Sequence, residues 1–336
     1  MAILIRAAAL TNYFEVARDL GLDTRPHLEA AGLSRVRLAE PENRVPLEAV
    51  LALLESSATA SGCITFGLRM AESRQLSHFG VVSLLLSHQP TLRAALQTLM
   101  QYRHLLNESL AMHLEEDGDK VIIREELVGD SPLDSRQGIE LALGALFRMG
   151  SALLGPGLNP ISIHFTHAAP ADTQVHRRIF RCPVYFGAEF NGIVCHVREL
   201  DRPNPDADPA MARYAEQLMQ SLPGPSGRSI VHEVRKAIYL LLPMGRATTQ
   251  QIADGLGLNV RALQRQLEAA GGVFSDLVSE VRRELVVRYM NNPDYSLATI
   301  SELLGYSVPS SFTRWFIAQF GMTPLRWRTQ NCSDPD

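Results

Sequence analysis

The stretch ISELLGYSVPSSFTRWF, residues 300–316, decides the reading of the C-terminal third. Two short segments with apolar residues at helical spacing meet at Gly305. The second segment turns Phe312 and Phe316 to one side, because residues four apart share a helix face. Ser310, Ser311, Thr313 and Arg314 then fall on the other side. A helix that packs for stability alone does not need a face of hydroxyls and arginine.

The same plan occurs once more, upstream. QIADGLGLNVRALQRQL (251–267) aligns with TISELLGYSVPSSFTRWF (299–316). Ile252 meets Ile300, Asp254 meets Glu302, Leu256 meets Leu304 and Gly257 meets Gly305. Asn259 meets Ser307, both residue types that favour the N-cap. With one extra residue in the second copy, Leu263 and Leu267 meet Phe312 and Phe316, and Arg265 meets Arg314. Each copy reads as helix, glycine turn, helix, the helix-turn-helix plan. Ile252, Leu256, Leu263 and Leu267 are the expected buried side of the first copy.

The outward faces carry the chemistry. In the first copy that face holds Arg261, Gln264 and Arg265; in the second, Pro309, Ser310, Ser311, Thr313 and Arg314. Arginine can bond guanine through two donors, and glutamine can do the same with adenine. Hydroxyls reach bases or phosphates. The helix N-termini at Asn259 and Ser307 aim backbone N–H groups toward phosphate. Double-stranded DNA is therefore the expected partner. A long helix over Phe274–Met290 joins the copies and spans about 25 Å at 1.5 Å per residue. With its flanks, that length suits two units spaced near one DNA turn, about 34 Å. A single helix–glycine–helix pair is commonplace; two copies 48–49 residues apart within a basic segment are not. The rival reading is a helical protein-interaction module fused to a small-molecule-binding or catalytic domain.

Charge follows the same division. Residues 1–225 carry 20 Arg/Lys and 26 Asp/Glu, whereas 226–330 carry 12 Arg/Lys, 11 of them Arg, and 8 Asp/Glu. The whole chain's −4 conceals this acidic front and basic back. Such a split is a weak sign that the back alone meets a polyanion. At 336 residues the chain is long enough for two domains. The longest apolar runs, such as 81–86, are too short to span a bilayer, and residues 1–10 show no secretory leader. Four scattered cysteines without a CxxC pair suggest reduced thiols in a cytoplasmic protein and no structural zinc.

The front part mixes periods. Helical spacing runs over 10–20, 46–60, 79–86, 91–106 and 134–155. Apolar runs flank Asp117-Gly118-Asp119, a hairpin signal. Residues 161–167, 184–190 and 192–197 read as strands. The expected fold is α+β with a small, mostly antiparallel sheet, followed by an all-α domain with two helix-turn-helix units joined by a long helix. Pro/Gly-rich stretches at 201–209 and 222–229 bracket an expected linker helix. The expected divisions are a sensing or dimerising domain at 1–205, a linker at 206–227, a DNA-binding domain at 228–330 and a flexible tail at 331–336.

ISELLGYSVPSSFTRWFIAQFGMTPLRWR resembles the C-terminal signature of AraC-type transcription regulators, through its apolar pattern and Gly305, Phe316, Gly321, Pro324 and Arg328. LQRQL (263–267) stands where that family commonly has a Leu-Gln-Arg run. The likeness covers roughly 228–328. It implies that both recognition helices enter successive major-groove segments, with base contacts by Arg261, Gln264, Arg265, Ser310, Ser311, Thr313 and Arg314. The second helix has few long polar side chains and is expected mostly to grip backbone. DLGLD (19–23), FGLRMA (66–71) and PVYFGAEFNGIVCHV (183–197) resemble the arabinose-binding-type N-terminal domain of a subgroup of those regulators. The first hundred residues read as helices, unlike the sugar-binding jelly roll of the founding member, and the label does not make arabinose the ligand. The resemblance implies a bacterial regulator controlled by a small-molecule effector. RNA polymerase and a second copy of the chain are further partners it allows.

Other candidates carry less. His164 and His167 would point to opposite faces of a strand. With His176 and His196 they are read as core or surface histidines, and no metal or cofactor is expected. Cys182 and Cys195 are read as buried hydrophobes over a redox pair. Tyr102, Arg103 and His104 fit a pocket or a solvated helix face. GxSxG, Walker and GxGxxG motifs are absent, so no catalytic residue is expected.

Overall fold

The apolar alternation around Asp117-Gly118-Asp119 builds a hairpin, Leu110–Asp117 against Lys120–Leu127, with Asp117 opposite Lys120. Along the second strand Val121, Ile123 and Glu125 are buried in turn, the period of two expected of a strand with one covered face. The sheet continues through Gly192–His196 and Ser162–His164, both antiparallel, and closes with Val184–Tyr185, which pairs parallel. This is the small, mostly antiparallel sheet of an α+β domain. The computed structural model describes residues 3–129, 135–155, 157–222 and 229–331. The chain divides into two units, Met1–Ser226 and Gly227–Asp336.

In the first unit, the helix Arg136–Leu153 lies between the sheet and further helices. It packs so closely on Phe66–Glu72 that a methyl group at Gly144 would sit 2.5 Å from the Ala71 Cβ. Leu47–Ser61 joins them with Val50, Leu51, Leu53 and Leu54 buried. Leu92–Leu106 starts at Thr91, whose hydroxyl accepts from the Ala94 amide at 3.2 Å, so Thr91 is the cap that Pro90 precedes. Pro209–Ser221 buries Ala215 and Met219 in this unit's core and leaves Met211, Tyr214 and Leu218 exposed.

Several boundaries differ from the sequence reading. The helix over 10–20 is a 3-10 turn, Ala7–Leu10, then Tyr13–Asp19, broken where Asn12 takes a positive φ of 71°. The helix over 79–86 is Leu76–Phe79 in 3-10 form, then Val82–Leu86, split by Gly80 at φ 60°. Of the expected strand 184–190 only Val184–Tyr185 pairs; beyond it Gly187 and Ala188 donate to the carbonyls of His167 and Phe165 at 2.9 Å and turn the chain. The strand expected over 161–167 is Ser162–His164, and Val197 already opens a short helix, Val197–Leu200. A two-stranded sheet, Leu4–Arg6 with Arg44–Pro46, was not expected.

The second unit is helical. Ile230–Leu241, Thr249–Gly255, Val260–Ala269, Phe274–Met290, Leu297–Leu303, Pro309–Phe320 and Pro324–Asn331 follow one another. Their shared core holds Val234, Ile238, Val281, Leu285, Ile252, Ile300, Phe312 and Phe316. Of the Pro/Gly stretch 222–229, residues 223–228 lie outside the described residues, as do 332–336 of the expected tail. Gly255 ends its helix with no atom within 4 Å of where a methyl would stand. Gly255→Ala should therefore raise this unit's stability by about 0.5–1 kcal/mol. A higher urea midpoint by tryptophan fluorescence is expected, and an unchanged midpoint would count against it.

Candidate nucleic-acid interface

Both repeated units take the expected form. In the first, Thr248 caps Thr249–Gly255, its hydroxyl accepting from the Gln251 amide at 3.2 Å. Gly257 reverses the chain at φ 68°, and the Asn259 side chain accepts from the Ala262 amide at 2.8 Å to start Val260–Ala269. Ile252, Leu263 and Leu267 are buried and Leu256 half-buried. In the second, Leu297–Leu303 leads to Gly305 at φ 75°, then Pro309–Phe320. Positive φ at both reversals costs glycine little and other residues more. The Gly305 position is also crowded, since a Cβ would stand 3.3 Å from the Leu242 side chain.

One expected cap is corrected. Ser307 does not cap the second recognition helix: Val308 holds the N-cap position, no side chain caps it, and Pro309 opens the first turn. Pro309 lacks an N–H and is pre-set to helical φ, which moves the start one residue beyond the Asn259 equivalent. Ser307 stays exposed just ahead of the helix. The extra residue in the second copy falls in this turn.

The outward faces are well separated from the cores. Arg261, Gln264 and Arg265 are all exposed, and neither arginine has a hydrogen bond or ion pair among the described residues. In the second helix Ser310 and Arg314 are exposed and Ser311 and Thr313 half-buried. Here the polar groups partly satisfy one another: Thr313 Oγ1 donates to the Pro309 carbonyl at 3.1 Å, and Arg314 Nη2 donates to Ser311 Oγ at 3.4 Å. The first helix therefore offers freer donors than the second.

Tertiary structure divides the basic residues of this unit in two. Arg235 is buried and paired with Glu280 at 3.5 Å and with Glu284. Lys236 is buried on Glu233 at 2.6 Å. Arg282 donates from Nε to the Leu304 carbonyl at 3.0 Å, at a helix C-terminus, and lies over the Tyr306 ring. Arg328 donates to the Tyr295 carbonyl at 2.8 Å. These four build the fold. Arg246, Arg283 and Arg326 are exposed alongside Arg261, Arg265 and Arg314. Motif alignment did not single out those three, because they lie outside the repeat; only exposure finds them.

The other sequence candidates scatter through the first unit. His176 is buried against Glu140 at 3.0 Å, with His167 at 3.2 Å from the same oxygen. His164 stacks on Phe190 and Tyr185, and His196 faces Asp119 at 3.4 Å. Burial pushes the Cys182 thiol up to about 11 and, with nearby Glu199 and Cys182 acting the same way, Cys195 up to about 12. Such thiols hold little reactive thiolate. Tyr102 is buried. Among the described residues, no helix is long and apolar enough to cross a membrane on its own.

Residues 21–204 match the family described as the arabinose-binding domain of AraC transcription regulator, N-term, and residues 252–330 match a helix-turn-helix domain. The HTH-type transcriptional regulator VirS of Mycobacterium tuberculosis is 31% identical over 327 residues, covering 97% of this chain and 96% of VirS. The ornithine utilization regulator of Pseudomonas aeruginosa is 22% identical over 331 residues, covering 97% of each. The crystal structure of the transcriptional regulator CdpR from Pseudomonas aeruginosa is 21% identical, with a TM-score of 0.44, covering 91% of this chain and 96% of CdpR.

Proposed function

This chain belongs to the AraC family of helix-turn-helix transcription regulators, and from that premise we propose which groups read DNA and what controls them. It is a DNA-binding regulator whose N-terminal part is of the arabinose-binding sensor type. Arg261, Gln264 and Arg265 read base edges in one major-groove segment. Ser310, Ser311, Thr313 and Arg314 meet the next segment, holding backbone more than bases. Helix N-terminal amides just after Asn259, and those after Pro309 beyond Ser307, take phosphates, since first-turn amides lack partners within the helix. Residues 228–330 carry this role, 1–205 sense the effector and pair two copies, and 206–227 connect them. The protein works in the cytoplasm, makes contact with RNA polymerase at its promoters and catalyses no reaction.

The observation that carries this reading is the freedom of Arg261 and Arg265. Two exposed guanidinium groups, one helical turn apart and without acidic partners among the described residues, stand on the face opposite Leu263 and Leu267. A helix that docks into a protein groove would be expected to lay an apolar face there.

The test begins by selecting bound duplexes from a random-sequence pool with the full-length protein. On the selected site, Arg265→Ala should weaken binding by about 1–3 kcal/mol and relax preference at one base position. Wild-type affinity should fall steeply as salt rises, through release of counterions from phosphates. No enriched site, or an Arg265→Ala variant with unchanged affinity and preference, would defeat the assignment.

A further inference from the structure

The first unit holds a partly open cavity of about 120 Å³. Its walls are chiefly aliphatic, among them Leu51 and Leu54 of Leu47–Ser61 and Leu141 and Leu146 of Arg136–Leu153. A dry cavity of roughly 150 Å³ admits benzene, so this space suits a ligand of roughly six to nine non-hydrogen atoms. Two polar side chains on its lining lack the partners that burial demands.

The first is Arg74, which is 8% exposed. Its Nη2 donates to the Ala9 carbonyl, and its buried Nε has no partner among the described residues. No carboxylate of the described residues pairs with it. Neighbouring Arg6, by contrast, is matched by Glu42, with Nε to Oε2 at 2.9 Å. Burial, reinforced by Arg6, pulls the Arg74 guanidinium down to about 10, so it stays charged at neutral pH. His78, also on the lining, is pushed down by burial and then by Arg74, and adds no positive charge at neutral pH. The pair of arginines thus leaves one positive charge beside the cavity without a counter-ion among the described residues. A buried charge in that position is costly until an anion meets it.

The second is Glu125. It takes the buried position, after Val121 and Ile123, where the strand's alternation would place a hydrophobe. Its Oε2 is buried without a hydrogen-bond partner among the described residues. Burial, and then the charge of Glu126, push its carboxyl up to about 8. At neutral pH it is therefore mostly the protonated acid, a donor that faces an aliphatic space without an acceptor. Arg74 and Glu125 do not pair with each other.

We propose that this cavity is the effector site and that it binds a small monocarboxylate with an apolar body, whose carboxylate meets Arg74 and whose neutral acceptor oxygen meets Glu125. The proposal rests on the reading of residues 1–205 as the sensor. A purely apolar guest would leave both polar groups stranded, and a cationic one would be repelled by Arg74. The carboxylate, the aliphatic body and the acceptor each answer one feature of the lining.

The experiment is calorimetric titration of the full-length protein with hexanoate, 5-oxohexanoate, hexanamide and hexan-1-amine. The two acids should bind, hexanamide and the amine at least about tenfold more weakly, and the keto acid more tightly than hexanoate. Glu125→Leu should fold, since it removes an unpaired carboxyl, and should abolish the advantage of the keto acid. Arg74→Gln, if its melting curve is cooperative, should abolish the preference for acid over amide. Equal binding of hexanoate and hexanamide by the wild type, or no binding by either acid, overturns the proposal. So does an undiminished keto-acid advantage in Glu125→Leu. A second arm measures affinity for the selected duplex with and without ligand. Acid binding that leaves DNA affinity unchanged supports the site and defeats the sensor reading. DNA affinity that responds to the amine while the acids do not bind keeps the sensor reading and defeats the carboxylate.

Discussion

Truncating Phe316 to alanine is expected to destabilise the C-terminal unit by about 3–5 kcal/mol. The side chain is 1% exposed. It stacks on Phe320 with centroids 4.5 Å apart and meets Phe312 at 5.8 Å and Trp327 at 6.2 Å edge to face. It thereby joins the second recognition helix to the helix Pro324–Asn331. Alanine would remove the ring and leave a void that Ile300, Leu304 and the surrounding aromatics can fill only in part. The measurement is unusually direct, because the chain's two tryptophans, Trp315 and Trp327, both touch this ring. Their fluorescence in a urea titration follows this unit, whatever the other unit does. A loss under about 1 kcal/mol would mean that Phe316 does not anchor the second helix. The same variant should lose DNA affinity in step with the unfolded fraction, whereas Arg265→Ala should lose it with the urea midpoint unchanged. That contrast separates residues that shape the reading surface from residues that read.

The helix-turn-helix units were legible because several local signals coincide in each. Ile252, Leu263 and Leu267 keep the helical period, Gly257 supplies the reversal and Asn259 caps the helix that follows. Each signal spans only a few residues and depends little on distant parts of the chain. The Ser307 cap failed for the same local reason: the inserted residue follows it, and Pro309 sets the helix start one residue later. What stayed hidden depends on distant residues. Arg235 reads as one more cation of a basic segment, yet its partner Glu284 is 49 positions away and buries it. Strands of two or three residues, such as Val184–Tyr185, are too short for an alternation to be counted. Arg74 and Glu125 look like any charged residues until packing encloses them around one cavity. The helix-turn-helix units are thus written in local patterns, while the cavity of the first unit is written in contacts that no window of sequence contains.

The same dependence on distant contacts makes Glu140 a sensitive position of the first unit. Its carboxylate is fully buried on the helix Arg136–Leu153 and answers three groups at once. His176 Nε2 lies at 3.0 Å, His167 Nε2 at 3.2 Å and Arg136 Nε at 3.5 Å, all from one oxygen. His176 is itself fully buried, wedged edge to face against Phe165 and Phe186. Glu140→Leu should destabilise this unit by about 3–5 kcal/mol, the usual result of removing one partner from a buried ionic cluster. The loss arises mainly because the remaining guanidinium and imidazoles cannot regain water. Acid should reproduce part of it. Burial favours the neutral acid, but the two histidines outweigh burial and hold the Glu140 carboxyl below its ordinary value. Stability from a depressed folded-state value is fully present above the unfolded-state value, about 4.3 for glutamate. It is lost as pH falls through the lower folded-state value. The transition to follow is the one that circular dichroism sees and tryptophan fluorescence does not. Its stability in wild type should decline on acidification below about pH 4.3, and Glu140→Leu should lack that increment of the decline. A variant with wild-type stability at neutral pH, or an acid limb identical to wild type, would show that the histidines and Arg136 find other partners and that Glu140 is not the anion they share.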